Sequence, residues 1–418
     1  MVKIKHFLCI LSLAVLAQTA VCQNNTNSPY TRYGFGNITD NNNGEQRGMG
    51  GVSLASRANT SINFSNPASY SAVDSMTFMF DVAVSGLNSF FRSGNQQSNT
   101  FTANLEYITL QIPLWKNMGL SAGVIPYSFA GYKYFTQQIL PPESYPDTIT
   151  YKNSFSGQGG ISQVYGGLSY NFFKHISLGV NAYYMFGSAV NARTLTFSNN
   201  ATDFYPSYQS DSLTVSNLRL RYGLQFFHTF GKVHDFTLGF VYETQSKLNA
   251  IYSEQTGSVK SEATPYEEKF AKFETPQTFG GGLNYRYNNQ LTVGADYTLQ
   301  QWAAVNFMGK TDTLANSSRL AVGANWIPNL RGRTYFEHIN YRLGFNVSDP
   351  YYKIDGQQLP KNFGVTFGLG LPLKSFNTVV NASFEYGQIG SASKLREDYF
   401  KITINAVFKE NWFFKRKL

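Results

Sequence analysis

Arg219 and Arg221 stand two residues apart, and Glu243 follows a short turn later. In a chain of two-residue period all three fall on one face, so the pattern places two guanidiniums beside one carboxylate. Arg342 shares their parity further along. Two readings of these charges stand. They form a network of ion pairs that fills and stiffens a narrow interior, or the arginines hold an anionic head group while aromatic side chains take its apolar tail. Asp81 and Lys401 lie on the first and last alternating segments and are expected to meet where those segments come together. No catalytic constellation accompanies them. Cys9 and Cys22 are the only cysteines, and the histidines past the leader are His175, His228, His234 and His338. All but His338 are expected near turns on one side, which argues against a metal cluster or a lumenal triad. The runs Gly280-Gly281-Gly282 and Gly364 to Gly370 alternate inside extended segments and open no helix, so they read as close-packing positions rather than phosphate loops. The chain is expected to be no enzyme and to carry no cofactor or metal.

The elements that position these residues are strands. Strict alternation recurs from residue 77 onward and yields fourteen segments, starting with Phe78, Phe80, Val82 and Val84 and ending with Phe400, Ile402, Ile404, Ala406 and Phe408. Connections after even segments are short, as at Trp115–Met118, Phe173–His175, Gly231–His234 and Asn288–Asn289, and fairly short after the tenth and twelfth. Those after odd segments are mostly longer and polar, notably Tyr132–Gly160, Asn199–Asp211 and Lys247–Glu274. Short turns on one side and long loops on the other, with an even count, are the pattern of a bacterial outer-membrane barrel. Asp81, Arg219, Arg221, Glu243, Arg286, Asp296, Arg319, Arg342, Glu385 and Lys401 all take the parity opposite the apolar one. A charge facing lipid at the midplane costs about 2–4 kcal/mol for Arg or Lys, so the apolar parity faces lipid and the charges face the lumen. Glu106 alone has the lipid-facing parity, which requires a bulge or a position above the bilayer. Trp115, Phe172, Phe230, Trp302 and Trp326 suit interfacial girdles.

Composition agrees. The 418 residues hold 34 Lys+Arg against 25 Asp+Glu, only 14% charged, with 28 Tyr, 35 Phe, 36 Gly and 14 Pro. That much aromatic surface excludes intrinsic disorder. The mean hydropathy of −0.26, with no apolar run of about 18 residues past the N-terminus, excludes a helical membrane protein. At the N-terminus Lys3 and Lys5 precede the apolar stretch Phe7 to Ala17, with small residues at Ala20 and Cys22. This reads as a signal peptide, residues 1–22, cleaved before Gln23. The alternative, acylation of Cys22, lacks the usual Leu and small residue before the cysteine. Losing Lys3 and Lys5 lowers the formal charge from +9 to +7, scattered rather than clustered, which argues against nucleic acid as partner. The cell outer membrane of a Gram-negative bacterium is the expected location, with outer-membrane lipid as surroundings.

Residues 23–76 do not alternate. They carry Arg47-Gly-Met-Gly-Gly51, Ala55-Ser-Arg-Ala58 and Asn66-Pro67-Ala68, an ordered, glycine-punctuated stretch where a barrel would tuck a hatch. Through Gly48-Met49-Gly50-Gly51, Ser61-Ile-Asn63 and Asn66-Pro67-Ala68, and later Gly280 to Tyr285, Asp296-Tyr297 with Trp302, and Tyr341 to Gly344, the chain resembles the FadL-type long-chain fatty-acid transporter superfamily, which includes PorV-like type IX secretion subunits. The resemblance implies an all-β, fourteen-stranded barrel over residues 77–418. It also implies a lumen closed by the hatch, with Gly50, Gly51, Asn66, Pro67 and Ala68 as its motif, and lateral release of hydrophobic cargo near strand three. Strand three itself carries Gly123, Pro126 and Gly131. Proline cannot donate to a ladder, so Pro126 marks locally broken pairing. That break is either a lateral window or a fraying end above the membrane. The functional expectation is uptake of a hydrophobic, fatty-acid-like small molecule. The alternative is a non-transporting subunit (shuttle, plug or scaffold) of a secretion or barrel-assembly complex. Ile402 to Phe408 with Trp412-Phe-Phe414 reads as the end recognised by barrel-assembly machinery during insertion.

Overall fold

The computed structural model describes residues 26–140, 149–198, 204–258, 267–269, 272–354, 356–373, 378–391 and 394–411. The expected signal peptide and the aromatic and basic end after Asn411 lie outside the described residues. Fourteen antiparallel strands close into a barrel. They are β1 (Thr77–Ser93), β2 (Gln96–Trp115), β3 (Met118–Ile139), β4 (Thr150–Phe172), β5 (Ile176–Phe197) and β6 (Ser207–Phe230). Then come β7 (His234–Glu243, continued by Ser246–Ser258), β8 (Phe273–Thr275, then Thr278–Tyr287), β9 (Leu291–Gln300) and β10 (Ser317–Trp326). The last four are β11 (Asn340–Ser348), β12 (Asn362–Pro372), β13 (Val379–Gly390) and β14 (Arg396–Asn411). Pairing of β1 with β14, from Thr77↔Asn411 to Arg92↔Arg396, closes the wall. Among the described residues no helix is long and apolar enough to cross a membrane.

The apolar parity does face outward. Leu168, Leu178, Leu218, Phe240, Leu283, Val322, Phe367 and Ile404 are all exposed, whereas Asp81, Arg219, Glu243, Asp296 and Arg342 are buried. Trp115, Phe172, Phe230 and Trp326 are exposed, as girdles require. Trp302 is not. After β9 the chain turns inward through Trp302–Ala304, and the ring lies tilted against Tyr351 at 4.7 Å and beside Phe35.

The turns after β4 and β8 are three residues long, between Phe172↔Ile176 and Tyr287↔Leu291, and place Phe173 with Lys174, and Asn288 with Asn289, at the two consecutive positive φ values of a turn that matches strand twist. The long connections on the other side are largely strand. β3 and β4 stay paired from Tyr132↔Gly157 up to Ile139↔Thr150, and β7 runs on to Ser258 against β6. Hairpins that stand above the apolar band lose their alternation without losing their ladder. The connection after β10, residues 327–339, is longer than expected and contains His338, which places that histidine on the same side as the other three.

Candidate functional site

Residues 26–76 lie against inward-facing positions of strands all round the barrel. Their short elements follow from their caps. The single helical turn α1 (Gly44–Arg47) has Asn43 as N-cap, whose side chain accepts from the Gln46 N–H while Gln46 Oε1 accepts from the Asn43 N–H. In Asn66-Pro67-Ala68, the Asn66 side chain accepts from the Ala68 N–H and donates to Leu54 O at 2.7 Å. Pro67 supplies a pre-set φ at the first position of the turn Pro67–Ala72. Gly50 and Gly51 sit at φ +71° and +90°, where a side chain is strained.

The wall glycines answer the segment. A Cβ on Gly344 or Gly323 would overlap the Met49 and Gly50 backbone, and one on Gly239 or Gly282 would meet Leu54. A Cβ on Gly223 would meet Asn66 and Pro67, and one on Gly179 would meet Pro67 and Ala68. Within the two glycine runs, Gly280 and Gly282 pack against Leu54 and Gly368 against Gly48 in this way, whereas Gly281 meets only the Phe240 ring at 3.7 Å.

Polar ties complete the fit. The Asp296 carboxylate accepts from the backbone N–H groups of Ser53 and Leu54 at 2.6 and 2.7 Å. Arg319 donates to Gly50 O at 2.9 Å. Arg57 donates to Ala68 O and stacks 4.0 Å over Phe227, and burial pushes its guanidinium down to about 10.

The predicted Arg219–Arg221–Glu243 cluster forms. Arg219 reaches Glu243 at 2.7 Å and Gln163 at 3.1 Å, and Arg221 Nε also pairs with Glu243 while its Nη1 donates to Ser65 O. The group lies where β7 breaks at residues 244–245 and leaves β6 residues 217–220 without a partner on that side. Arg342 belongs elsewhere. It contacts Asn381 at 2.8 Å and Glu45 of α1 at 3.5 Å.

Asp81 does not meet Lys401. Asp81 accepts from Asn405 and Tyr107, and Lys401 instead pairs with Glu106 at 2.6 Å. The β1–β14 register sets Asp81 opposite Val407 and Lys401 opposite Leu87, and a bulge on β2 brings Glu106 to the lysine. Ala83 opposes Tyr107 and Val84 opposes Leu105, so Glu106 has no opposite residue and turns inward. There it accepts from Arg47 at 2.8 Å and from Ser85 at 2.5 Å. The N-terminal segment thus locks to the wall through an Arg47–Glu106–Lys401 triad around a buried carboxylate, which the sequence signalled only as a parity violation.

Above this triad the wall unzips. β2 and β3 pair from Trp115↔Met118 only to Ile108↔Val124, although β2 continues to Gln96 against β1 and β3 to Ile139 against β4. Gly123 lies just below the break, and Pro126 at it, with a register shift between Pro126 and Ser128. The N-terminal segment takes up the freed edge of β3. Asn37 and Ile38 pair with Phe129 and Ser128, Thr39 N donates to Tyr127 O, and the Thr31 hydroxyl bonds both backbone groups of Gly131. Behind the seam lies a cavity of about 330 Å³ lined by Asp40, Arg47, Arg319 and Lys401 as well as Ile38, Leu87, Tyr127 and Phe129. On the outer-loop side it is capped by an aromatic cluster of Tyr30, Phe35, Trp302, Tyr351 and Tyr352.

Solved structures similar to this one include hydrocarbon channels and transporters. The monoaromatic hydrocarbon channel CymD matches with a TM-score of 0.59 at 12% identity, over 91% of this chain and 99% of that one. The Pseudomonas putida toluene transporter TodX matches at 0.57 and 13%, over 90% and 99%. A Pseudomonas aeruginosa FadL homologue matches at 0.53 and 13%, over 89% and 98%. At such identity the likeness is one of fold alone: this chain shares the barrel architecture of those proteins. A comparison with curated proteins finds no match. The family model of BamG, in contrast, matches residues 1–418, and the chain accordingly belongs to the BamG family.

Proposed function

We propose that this protein is a hatch-plugged barrel subunit of an outer-membrane complex, engaging its partners through the wall and serving as scaffold or plug rather than as a conduit. One observation carries the reading. The N-terminal segment is fastened to the lumen by the Arg47–Glu106–Lys401 triad, by Asp296 on two backbone amides, and by wall glycines that leave its backbone no slack. Opening such a plug would leave buried charges unpaired, which costs several kcal/mol for each pair broken. The cavity behind the seam fits poorly with a purely apolar cargo, since Asp40, Arg47, Arg319 and Lys401 line it.

A second reading has its own support: uptake of a hydrophobic small molecule, with lateral release at the β2–β3 seam. The unpaired seam at Pro126 favours it, as does the fold shared with the toluene transporter TodX and the hydrocarbon channel CymD. Arg219 and Arg221 are then head-group candidates, although both are engaged by Glu243.

The two readings part in a passage assay. Ile38 lies directly opposite Ser128, within the Cα spacing a disulfide spans, so Ile38→Cys with Ser128→Cys staples the hatch to β3. Proteoliposomes holding the wild type or the oxidised pair are expected to take up labelled toluene and oleate at the protein-free rate. Uptake above that rate by the wild type, abolished by oxidation and restored by reductant, would establish transport instead.

A further inference from the structure

The short-turn end of the barrel carries exposed charge that is almost all of one sign. Lys116 follows β2, Lys174 follows β4, Lys232 follows β6, and Arg331 and Arg333 lie in the 327–339 connection after β10. All five are exposed, and among the described residues none has a carboxylate partner. Of the acids at this end, Asp74 and Asp235 are already paired, with Lys409 and Arg286, which leaves Glu337 and Glu410. Outside the described residues, segments 1–25, 374–377 and 412–418 hold no Asp or Glu, so none of these supplies a counter-charge. Two of the lysines also stand where turn geometry favours another residue. Lys174 and Lys232 have φ of +65° and +67°, backbone that Gly or Asn adopts without strain. Beside the cations in sequence are bare rings: Trp115 at 72% exposure, Phe173 at 86%, Phe230 at 54%, and Tyr335 with Phe336 next to Arg333.

A turn in plain water gains nothing from exposed rings. A phospholipid surface uses both groups, since aromatic rings seat at headgroup level and Lys or Arg stems reach from there to phosphate oxygens. The spread of the cations separates lipid from protein as the occupant. They run from the β2–β3 turn round to the β10–β11 connection, through most of the fourteen strands. A docked protein covers one sector of such a rim, whereas the leaflet surrounds all of it. We propose that this rim selects anionic phospholipids in the leaflet facing the short turns, the turn cations donating to headgroup phosphates while the neighbouring rings anchor at the same level. The inference goes beyond both functional readings, because a plug and a conduit would use the rim alike.

The full chain in phosphatidylcholine vesicles, with trace spin-labelled phosphatidylglycerol or spin-labelled phosphatidylcholine, reads which lipid the wall holds. The expected result is a preference for phosphatidylglycerol of at least about two-fold, averaged over the wall, that ~1 M salt abolishes. Lys116→Gln, Lys174→Gln, Lys232→Gln, Arg331→Gln and Arg333→Gln together are expected to remove it, while Lys116→Arg, Lys174→Arg and Lys232→Arg together keep it. Lys133→Gln, Lys152→Gln and Arg193→Gln, at exposed cations of the outer hairpins, are expected to leave it unchanged. If the combined Gln variant does not fold, the three lysine-to-Gln changes taken singly carry the same test, each lowering the preference. Equal retention of the two lipids by the wild type overturns the proposal, as does a preference that survives the rim substitutions or falls with the outer ones. An acidic protein lost from native membranes by the rim variant, with no lipid preference in vesicles, would make the rim a protein contact and overturn it too.

Discussion

Glu106 decides more than any other single side chain. It is a bulged residue buried between Arg47 and Lys401, so Glu106→Ala leaves two cations without their carboxylate inside the wall. Breaking a buried pair in this way costs about 3–5 kcal/mol. The expected outcome is a marked drop in the temperature at which the folded, fast-migrating band is lost on electrophoresis. Loss at the wild-type temperature would mean that the triad contributes nothing. Gly50 offers a smaller test. Its φ is +71°, and a Cβ there would sit 2.8 Å from Phe345 backbone atoms. Gly50→Ala is therefore expected to cost at least the ~1–2 kcal/mol of a left-handed side chain, and an unchanged urea midpoint would contradict the packing. Residue chemistry was only partly legible in the sequence. Arg219, Arg221 and Glu243 could be grouped because they flank one turn. Lys401 could not be assigned to Glu106, because a bulge on β2 leaves no trace in the pattern of β14. Trp302 misled for a similar reason: the chain bends inward after Gln300, and periodicity does not report a bend.

At the scale of elements, the alternation was readable because lipid and lumen demand opposite side chains on successive residues. Strand ends were not, since a hairpin in water keeps its ladder with polar residues on both faces, as β3 and β4 do beyond Tyr132. This makes depth testable. Leu168→Arg places a cation on the outward face within the apolar band and is expected to cost about 2–4 kcal/mol, seen as a loss of folded barrel in refolding titrations. Ser162→Arg has the same parity but lies beyond Val164, where such a change costs about 0–1 kcal/mol. Equal effects at the two positions would move the band. The Asn66-Pro67-Ala68 motif was legible as a motif only. That Asn66 caps the turn Pro67–Ala72 and reaches Leu54 follows from its side-chain chemistry. That Gly223 and Gly179 yield space for it does not, because those residues lie far along the chain.

For the whole molecule, the barrel and its closure could be counted, while the filling of the seam could not. Pro126 announced a break in strand three, yet only the paired register reveals that Asn37 and Ile38 of the N-terminal segment take up the edge of β3 there. The same fold therefore carries two readings, and what occupies the protein in its own membrane separates them. Native mass spectrometry of the protein extracted gently from outer membranes measures that occupancy directly. The expected result is a stoichiometric complex with at least one other outer-membrane protein and no hydrocarbon or fatty acid retained in the lumen. A solitary barrel carrying a stoichiometric hydrophobic molecule would contradict it.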